Sequence, residues 1–321
     1  MTSLDFQSLL KQEKALLRQA ERAKQSATSA TSVNRNGHPL SSTKGSLAEN
    51  CTLEEPVNSE RCPLRREPSP SFEELANRPS LDPWKMRVGT TPTILYVPDF
   101  ISETEEEELL ARTYSNAASA PTAATTETQQ SGAGADTWVT LSSRRLKCWG
   151  GQPGEGFEPE PLPGWLEALC DALVRRKVFT QEGRPNHVLL NEYKPGQGIM
   201  PHTDGPFYAP RTATLSVGSE AVMHFSPRVA AADIGRQGVD AKPLSSLVLK
   251  RRCLVVFADE AYSRLLHGID AVTEETVGAR GAPVVNADAA GSPEGTVVQR
   301  QLRVSLTFRK VKVRSGETGD L

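Results

Sequence analysis

From His187 onward the apolar residues change their period from helical to two, and that change restricts the fold more than any other feature of the chain. The alternation predicts short strands at 187–193, 199–202, 213–217, 221–225, 246–249, 253–258 and 302–313. Turn residues separate them, with long polar loops at 228–243 and 272–298. Ahead of them come a short β-run, Ile94-Leu95-Tyr96-Val97, and a helix capped by Ser102 with Glu105 at the capping-box position. A second helix is expected over 166–178, through Leu169, Leu173 and Val174. Helices followed by many short strands predict an α+β chain built on a double-stranded β-helix, a jelly-roll or cupin-like core with flanking helices.

The first 87 residues read differently. Leu4, Leu9, Leu10, Leu16, Leu17 and Ala20 recur at helical spacing, so an amphipathic helix is expected within 1–25. It would either dock a protein partner or pack on its own domain. Residues 26–87, rich in Ser, Thr, Asn, Pro and charge, hold too few apolar groups to offset the entropy of ordering and are expected to be a disordered linker. The folded domain is then expected over 88–314, with an Ala/Thr-rich mobile loop at 115–137 and a flexible tail at 315–321.

Lys plus Arg number 37 and Asp plus Glu 39, for a formal charge of −2, and from Val88 onward acids outnumber bases by four. Such a balance is not the strongly basic signature of a protein that coats nucleic acid, so any contact of that kind must be a local patch. The five cysteines include no Cys-x-x-Cys pair, which fits a reduced intracellular compartment, cytoplasm or nucleus. No apolar run approaches the ~18 residues of a membrane span and the first residues lack a signal-peptide core, so no membrane contact is expected.

Within the strand region the spacing of Pro201-His202-Thr203-Asp204-Gly205 matters, because residues i and i+2 of an extended segment point the same way. One imidazole and one carboxylate thus converge, and His267, in Leu265-Leu266-His267-Gly268, offers a third ligand. Two imidazoles and a carboxylate on one face of an iron leave positions for a bidentate 2-oxo acid and dioxygen. A His-x-Asp pair also arises by chance, and a capping or core histidine is the ordinary alternative. The final strand adds weight: 303, 305, 307 and 309 share one face, aligning Arg303, Ser305, Thr307 and Arg309 in an otherwise apolar run. A guanidinium there can grip a carboxylate with two parallel hydrogen bonds, the alternative being an edge strand with solvated arginines. Arg144-Arg145-x-Lys147, Arg175-Arg176-Lys177, Lys250-Arg251-Arg252 and the tail Lys310, Lys312 and Arg314 are basic clusters that read first as solvated surface. No Gly-x-Ser-x-Gly supports a serine hydrolase.

Together with Asn191-Glu192-Tyr193, Tyr96-Val97-Pro98-Asp99-Phe100, Trp149-Gly150-Gly151 and Arg303-x5-Arg309, these strings resemble the AlkB family of Fe(II)/2-oxoglutarate dioxygenases over about 93–313. The resemblance implies His202, Asp204 and His267 as catalytic iron ligands. It also implies Asn191 and Tyr193 as contacts to 2-oxoglutarate, Arg303 at its distal carboxylate, and Arg309 between co-substrate and substrate. With O2, such a centre hydroxylates C–H bonds and dealkylates nucleic acids. A base would have to be single-stranded or flipped out to reach it. Phe207, Tyr208 and Tyr262 are candidate stacking surfaces, and Lys310 and Lys312 candidate phosphate contacts. Two other functions stay open: hydroxylation or demethylation of a protein side chain by the same centre, and a nucleic-acid or protein binding module with little turnover.

Overall fold

A computed structural model describes residues 11, 70–91, 93–115, 137–228 and 242–312. In chain order its elements begin with α1 (Pro70–Asn77), β1 (Ile94–Val97), α2 (Glu103–Tyr114), β2 (Val139–Thr140), β3 (Arg145–Trp149) and α3 (Gly164–Arg175). Next come β4 (His187–Tyr193), β5 (Ile199–His202), β6 (Tyr208–Val217), β7 (Ala221–Pro227), β8 (Ser245–Leu249) and β9 (Leu254–Ala258). The chain continues through α4 (Asp259–Arg264), β10 (Leu265–Ile269), β11 (Glu274–Thr276), α5 (Ala287–Ala290), β12 (Val297–Gln299) and β13 (Arg303–Val311). A major sheet in the order β1-β9-β6-β13-β4-β3-β2 faces a minor sheet in the order β5-β10-β7-β8, and every pairing within both is antiparallel.

The major sheet is covered on both faces, which is why all seven residues of β4 are buried. Toward the helices it presents Val188, Leu190, Leu215, Val256, Val304, Leu306 and Phe308, packed with Phe72, Leu75, Leu166, Leu169 and Leu173. Toward the minor sheet it presents Leu189, Tyr193, Val255 and Phe257, packed with Ile199, Met223, Phe225, Leu247 and Ile269. Strand β13 thus divides its residues strictly: the even positions 304, 306 and 308 join the helix-side core, and Arg303, Ser305, Thr307 and Arg309 line a cavity between the sheets. The two-layered, helix-flanked architecture agrees with the jelly roll expected.

Locally, the Ser102 hydroxyl accepts from the Glu105 amide (3.2 Å) while the Glu105 carboxylate accepts from the Ser102 amide (2.6 Å), the reciprocal cap anticipated for α2. Three departures have physical causes. The expected linker does not extend through 87, because α1 folds: Phe72 and Leu75 are fully buried against α3, and Arg78 pairs with Glu105 at 2.8 Å. Three apolar residues at i, i+3 and i+4 are too few to lift the composition of a polar stretch, yet they suffice to dock two turns of helix. Strand β6 starts at Tyr208, five residues before the alternation becomes apolar, because Tyr208 pairs with Val311 and Thr212 with Arg309. The expected polar loop at 272–298 contains the β11–β12 hairpin and α5. There Asn286 holds Val248 of β8 by both backbone groups at 2.8 Å, while Val285 and Pro283 bond to Ser246. The expected helix in 1–25 and the loops expected at 115–137 and 228–243 fall mostly or wholly outside the described residues. Among the described residues no helix is long and apolar enough to cross a membrane.

Burial of Phe72 and Leu75 sets a boundary for truncation. A chain starting at Glu67 is expected to melt within a few degrees of full length, whereas one starting at Leu81 loses both side chains from the core. At about 4 kcal/mol for such a loss, its Tm should drop by about 10 °C. Equal melting of the two truncations would remove α1 from the core.

Candidate metal centre

Strands β5 and β10 run side by side with His202 as the register partner of His267, so two imidazoles distant in sequence meet at one point of the minor sheet. Their ring centroids are 4.3 Å apart. Asp204 follows two residues after His202, where the backbone turns with Gly205 at φ +103°. One ligand atom from each of the three lies within 4.8 Å of the others, and all three residues are buried. Glycine permits this close approach: a Cβ on Gly268 would stand 2.9 Å from the Pro201 nitrogen, and one on Gly198 2.3 Å from the Ile269 carbonyl oxygen.

The surroundings fix the chemical form of each group. His202 Nδ1 lies 2.8 Å from the Met200 carbonyl, which can only accept, so Nδ1 carries the proton and Nε2 keeps its lone pair. His267 packs on Phe257, 4.6 Å between centroids. Burial holds both imidazoles below their ordinary range, so they are neutral, the form that ligates metal. For Asp204, burial alone would raise the carboxyl, but Arg309, the two histidines and the Thr212 hydroxyl together hold it below the usual carboxylate range. Thr212 donates to Oδ2 at 2.6 Å and Arg309 to Oδ1 at 2.5 Å. Two neutral imidazoles and one carboxylate, converging in an apolar wall, are a donor set that fits Fe(II) with positions left for other ligands.

A narrow cavity leads from this centre between the sheets, lined by Asn191, Tyr193, Arg303, Ser305, Thr307 and Arg309 among others. Arg303 is fully buried, donates to the Ser216 hydroxyl at 2.8 Å and stands 5.6 Å over the Tyr193 ring. It makes no ion pair among the described residues, and its Nε has no partner there. A buried guanidinium in that state is costly unless an anion completes it, and a carboxylate matches its geometry.

A second cavity, of about 260 Å³, is lined by Thr203 and Gly205, the chain neighbours of Asp204, and by Tyr208, Arg228, Tyr262 and Lys312, with three further residues. Tyr262 donates to the Gly205 carbonyl at 2.8 Å. Tyr208 is a wall more than an open stacking face: it is buried, lies 4.9 Å from the Arg309 guanidinium, and burial pushes its hydroxyl up to about 12. Phe207 and Lys310 line neither cavity, so Lys310 and Lys312 do not form a joint ridge at the centre.

Sequence reasoning missed four side chains. Arg228 gave no signal, standing alone at the end of a strand. Arg144 and Lys147, expected on solvated surface, are buried: Arg144 donates to the Asn191 carboxamide at 3.0 Å and Lys147 to the Thr113 carbonyl at 3.0 Å. His187, also buried, lies 5.4 Å from the Tyr208 ring, and burial with the nearby Arg309 pulls it down to about 3. In the other basic clusters Arg251 is held by Glu106 at 2.8 Å and Arg176 by the Phe100 carbonyl at 3.2 Å, whereas Arg175 and Lys177 are exposed as expected.

Residues 93–309 match the family model of the 2OG-Fe(II) oxygenase superfamily. The probable RNA/DNA demethylase ALKBH6 of Danio rerio is 39% identical over 222 residues, covering 68% of this chain and 86% of that protein. The tRNA (carboxymethyluridine(34)-5-O)-methyltransferase ALKBH8 of Macaca fascicularis is 30% identical over 242 residues, 71% of this chain but 32% of its own length. The solved structure of OsALKBH1 aligns with a TM-score of 0.39 at 16% identity, over 68% of this chain and 98% of that one.

Metal binding tests the assignment directly. One Mn(II) per chain is expected by electron paramagnetic resonance titration. Asp204→Asn, which keeps the shape and still accepts from Thr212, should weaken it by more than tenfold, since a neutral amide is a poor ligand. An unaltered titration for that variant would place the metal elsewhere.

Proposed function

The chain belongs to the 2OG-Fe(II) oxygenase superfamily and, within it, to the AlkB family, and from that premise we propose that it oxidatively dealkylates nucleic acid. It is a 2-oxoglutarate-dependent dioxygenase whose cofactor is Fe(II), with O2 as second co-substrate. In our reading His202, Asp204 and His267 hold the iron. When bound, the iron supplies the oxidising chemistry: 2-oxoglutarate and O2 become succinate and carbon dioxide as one oxygen atom enters a substrate C–H bond. A hydroxylated N-methyl group then leaves as formaldehyde.

The chain's own side chains bind and orient. The observation that carries the reading is Arg303, a guanidinium sealed between the sheets with one hydroxyl for company. It holds the distal carboxylate of 2-oxoglutarate, with Tyr193 packed beneath the guanidinium and Asn191 and Arg309 toward the metal end. Thr212 and Arg309 keep Asp204 ionised and fixed in orientation. Ile199, Met223, Phe225 and Phe257 exclude water from the surroundings of the centre.

For the substrate, the second cavity supports a nucleic acid. Arg228 and Lys312 enter it without an ion-pair partner among the described residues, and none of its lining residues is acidic. Their charge suits phosphate, the Tyr262 ring offers a surface for a base, and the relative from Danio rerio carries the name of an RNA/DNA demethylase. A recessed centre of this kind takes a single-stranded or flipped base.

Two measurements separate co-substrate from substrate. Arg303→Met should weaken 2-oxoglutarate binding by roughly ten- to hundredfold, the value of about 1.5–3 kcal/mol for a charged hydrogen bond, and leave Mn(II) binding intact. An unchanged 2-oxoglutarate titration would move the clamp off Arg303. Fluorescent single strands should bind better than duplex at low salt, with the salt slope lowered by roughly two in an Arg228→Glu/Lys312→Glu variant. No binding of either strand form, or no effect of charge reversal, would shift the reading to protein substrates.

A further inference from the structure

Arg144 stands at the end of a tight turn in which the Leu141 amide donates to the Arg144 carbonyl at 2.8 Å, immediately before β3. In β3 the even positions face the minor sheet with Leu146, which is the register partner of Asn191 on β4. The Arg144 side chain therefore runs along the inter-sheet face, buried, and its Nε meets Asn191 Oδ1 at 3.0 Å. Arginine has donors and no acceptor, so the atom of Asn191 that faces it must be the carboxamide oxygen. The amide nitrogen is thereby turned the other way. Asn191 lines the narrow cavity, and Nδ2 makes no hydrogen bond among the described residues.

An asparagine amide can present two donors or two lone pairs, and rotation by half a turn exchanges them. In the first orientation it attracts a carboxylate; in the second it repels one. We propose that Arg144 is a positioning residue that locks the Asn191 carboxamide with its NH2 toward the cavity, so that Asn191 serves as a donor to a 2-oxoglutarate carboxylate. The proposal rests on the reading of Asn191 as a co-substrate contact. It assigns to a buried residue of the β2–β3 turn a share of co-substrate affinity that acts wholly through a neighbour.

The test is a double-mutant cycle on 2-oxoglutarate affinity, measured by calorimetry on the Mn(II)-loaded full chain without oxygen. Arg144→Leu and Asn191→Ala should each weaken binding by about tenfold, as expected for one hydrogen bond to a charged acceptor. The double variant should be no weaker than Asn191→Ala alone, and Mn(II) affinity should stay constant throughout. Additive losses, about a hundredfold in the double variant, would show that Arg144 acts independently and overturn the proposal. Unchanged affinity in Asn191→Ala would overturn both the proposal and the co-substrate role of Asn191. The reading of Arg303 would be untouched by either result.

Asn191→Asp guards against a failure of Arg144→Leu to fold, because a carboxylate still accepts from Arg144 but has no donor to offer. It should lose more than tenfold in 2-oxoglutarate affinity. Wild-type affinity in that variant would show that no donor is needed at this position.

Discussion

The register of β13 is the constraint on which the rest of the structure depends. This strand is hydrogen-bonded on both sides, to β4 and to β6, and a shift of one residue would turn Arg303, Ser305, Thr307 and Arg309 into the helix-side core. Val304, Leu306 and Phe308 would at the same time enter the cavity. Two guanidiniums without water or acid cost several kcal/mol each in an apolar layer, so the alternation of side chains selects one pairing over its neighbours. The same pairing brings Thr212 and Arg309 to adjacent places, and these two hold the two oxygens of Asp204.

Fold and chemistry are therefore coupled by electrostatics more than by any single ligand. Asp204 is fully desolvated, a condition that by itself favours the protonated acid. Arg309 foremost, with the two histidines and the Thr212 hydroxyl, reverses that tendency, and the two imidazoles stay neutral because the same burial disfavours their charge. The result is a mononegative ligand set with its protons already placed, which spares metal binding much of the usual competition with protons. On the far side of the cavity Arg303 is the complementary case: a permanent cation whose desolvation is offset only when an anion occupies the space before it.

Much of this was legible in the sequence. Strands β4 and β5 have the bounds that alternation predicts, the Ser102 cap is reciprocal as its spacing suggests, and His202 and His267 meet, although β10, which carries His267, is a strand the sequence does not predict. What escaped had no local signature. Arg144 and Lys147 look like surface because their burial depends on β3 lying inside a sheet covered on both faces, a property of the assembled layers. Helix α1 was lost because its apolar content is small in a polar neighbourhood. Strand β6 was read too short because its first residues owe their pairing to β13 and not to their own composition. Phe207 and Lys310 were placed near the centre by adjacency along the chain, and neither lines either cavity.

The hold of Asn286 on β8 has a consequence for how copies of this molecule coexist. Strand β8 ends the minor sheet, and an uncovered terminal strand presents unpaired amides and carbonyls on which another chain can be templated. Here one side-chain amide satisfies both backbone groups of Val248, and Pro283 and Val285 do the same for Ser246. Three residues of the connecting segment, Pro283, Val285 and Asn286, thus imitate a fifth strand. Strand β8 therefore offers a second chain no free amide or carbonyl at Ser246 and Val248.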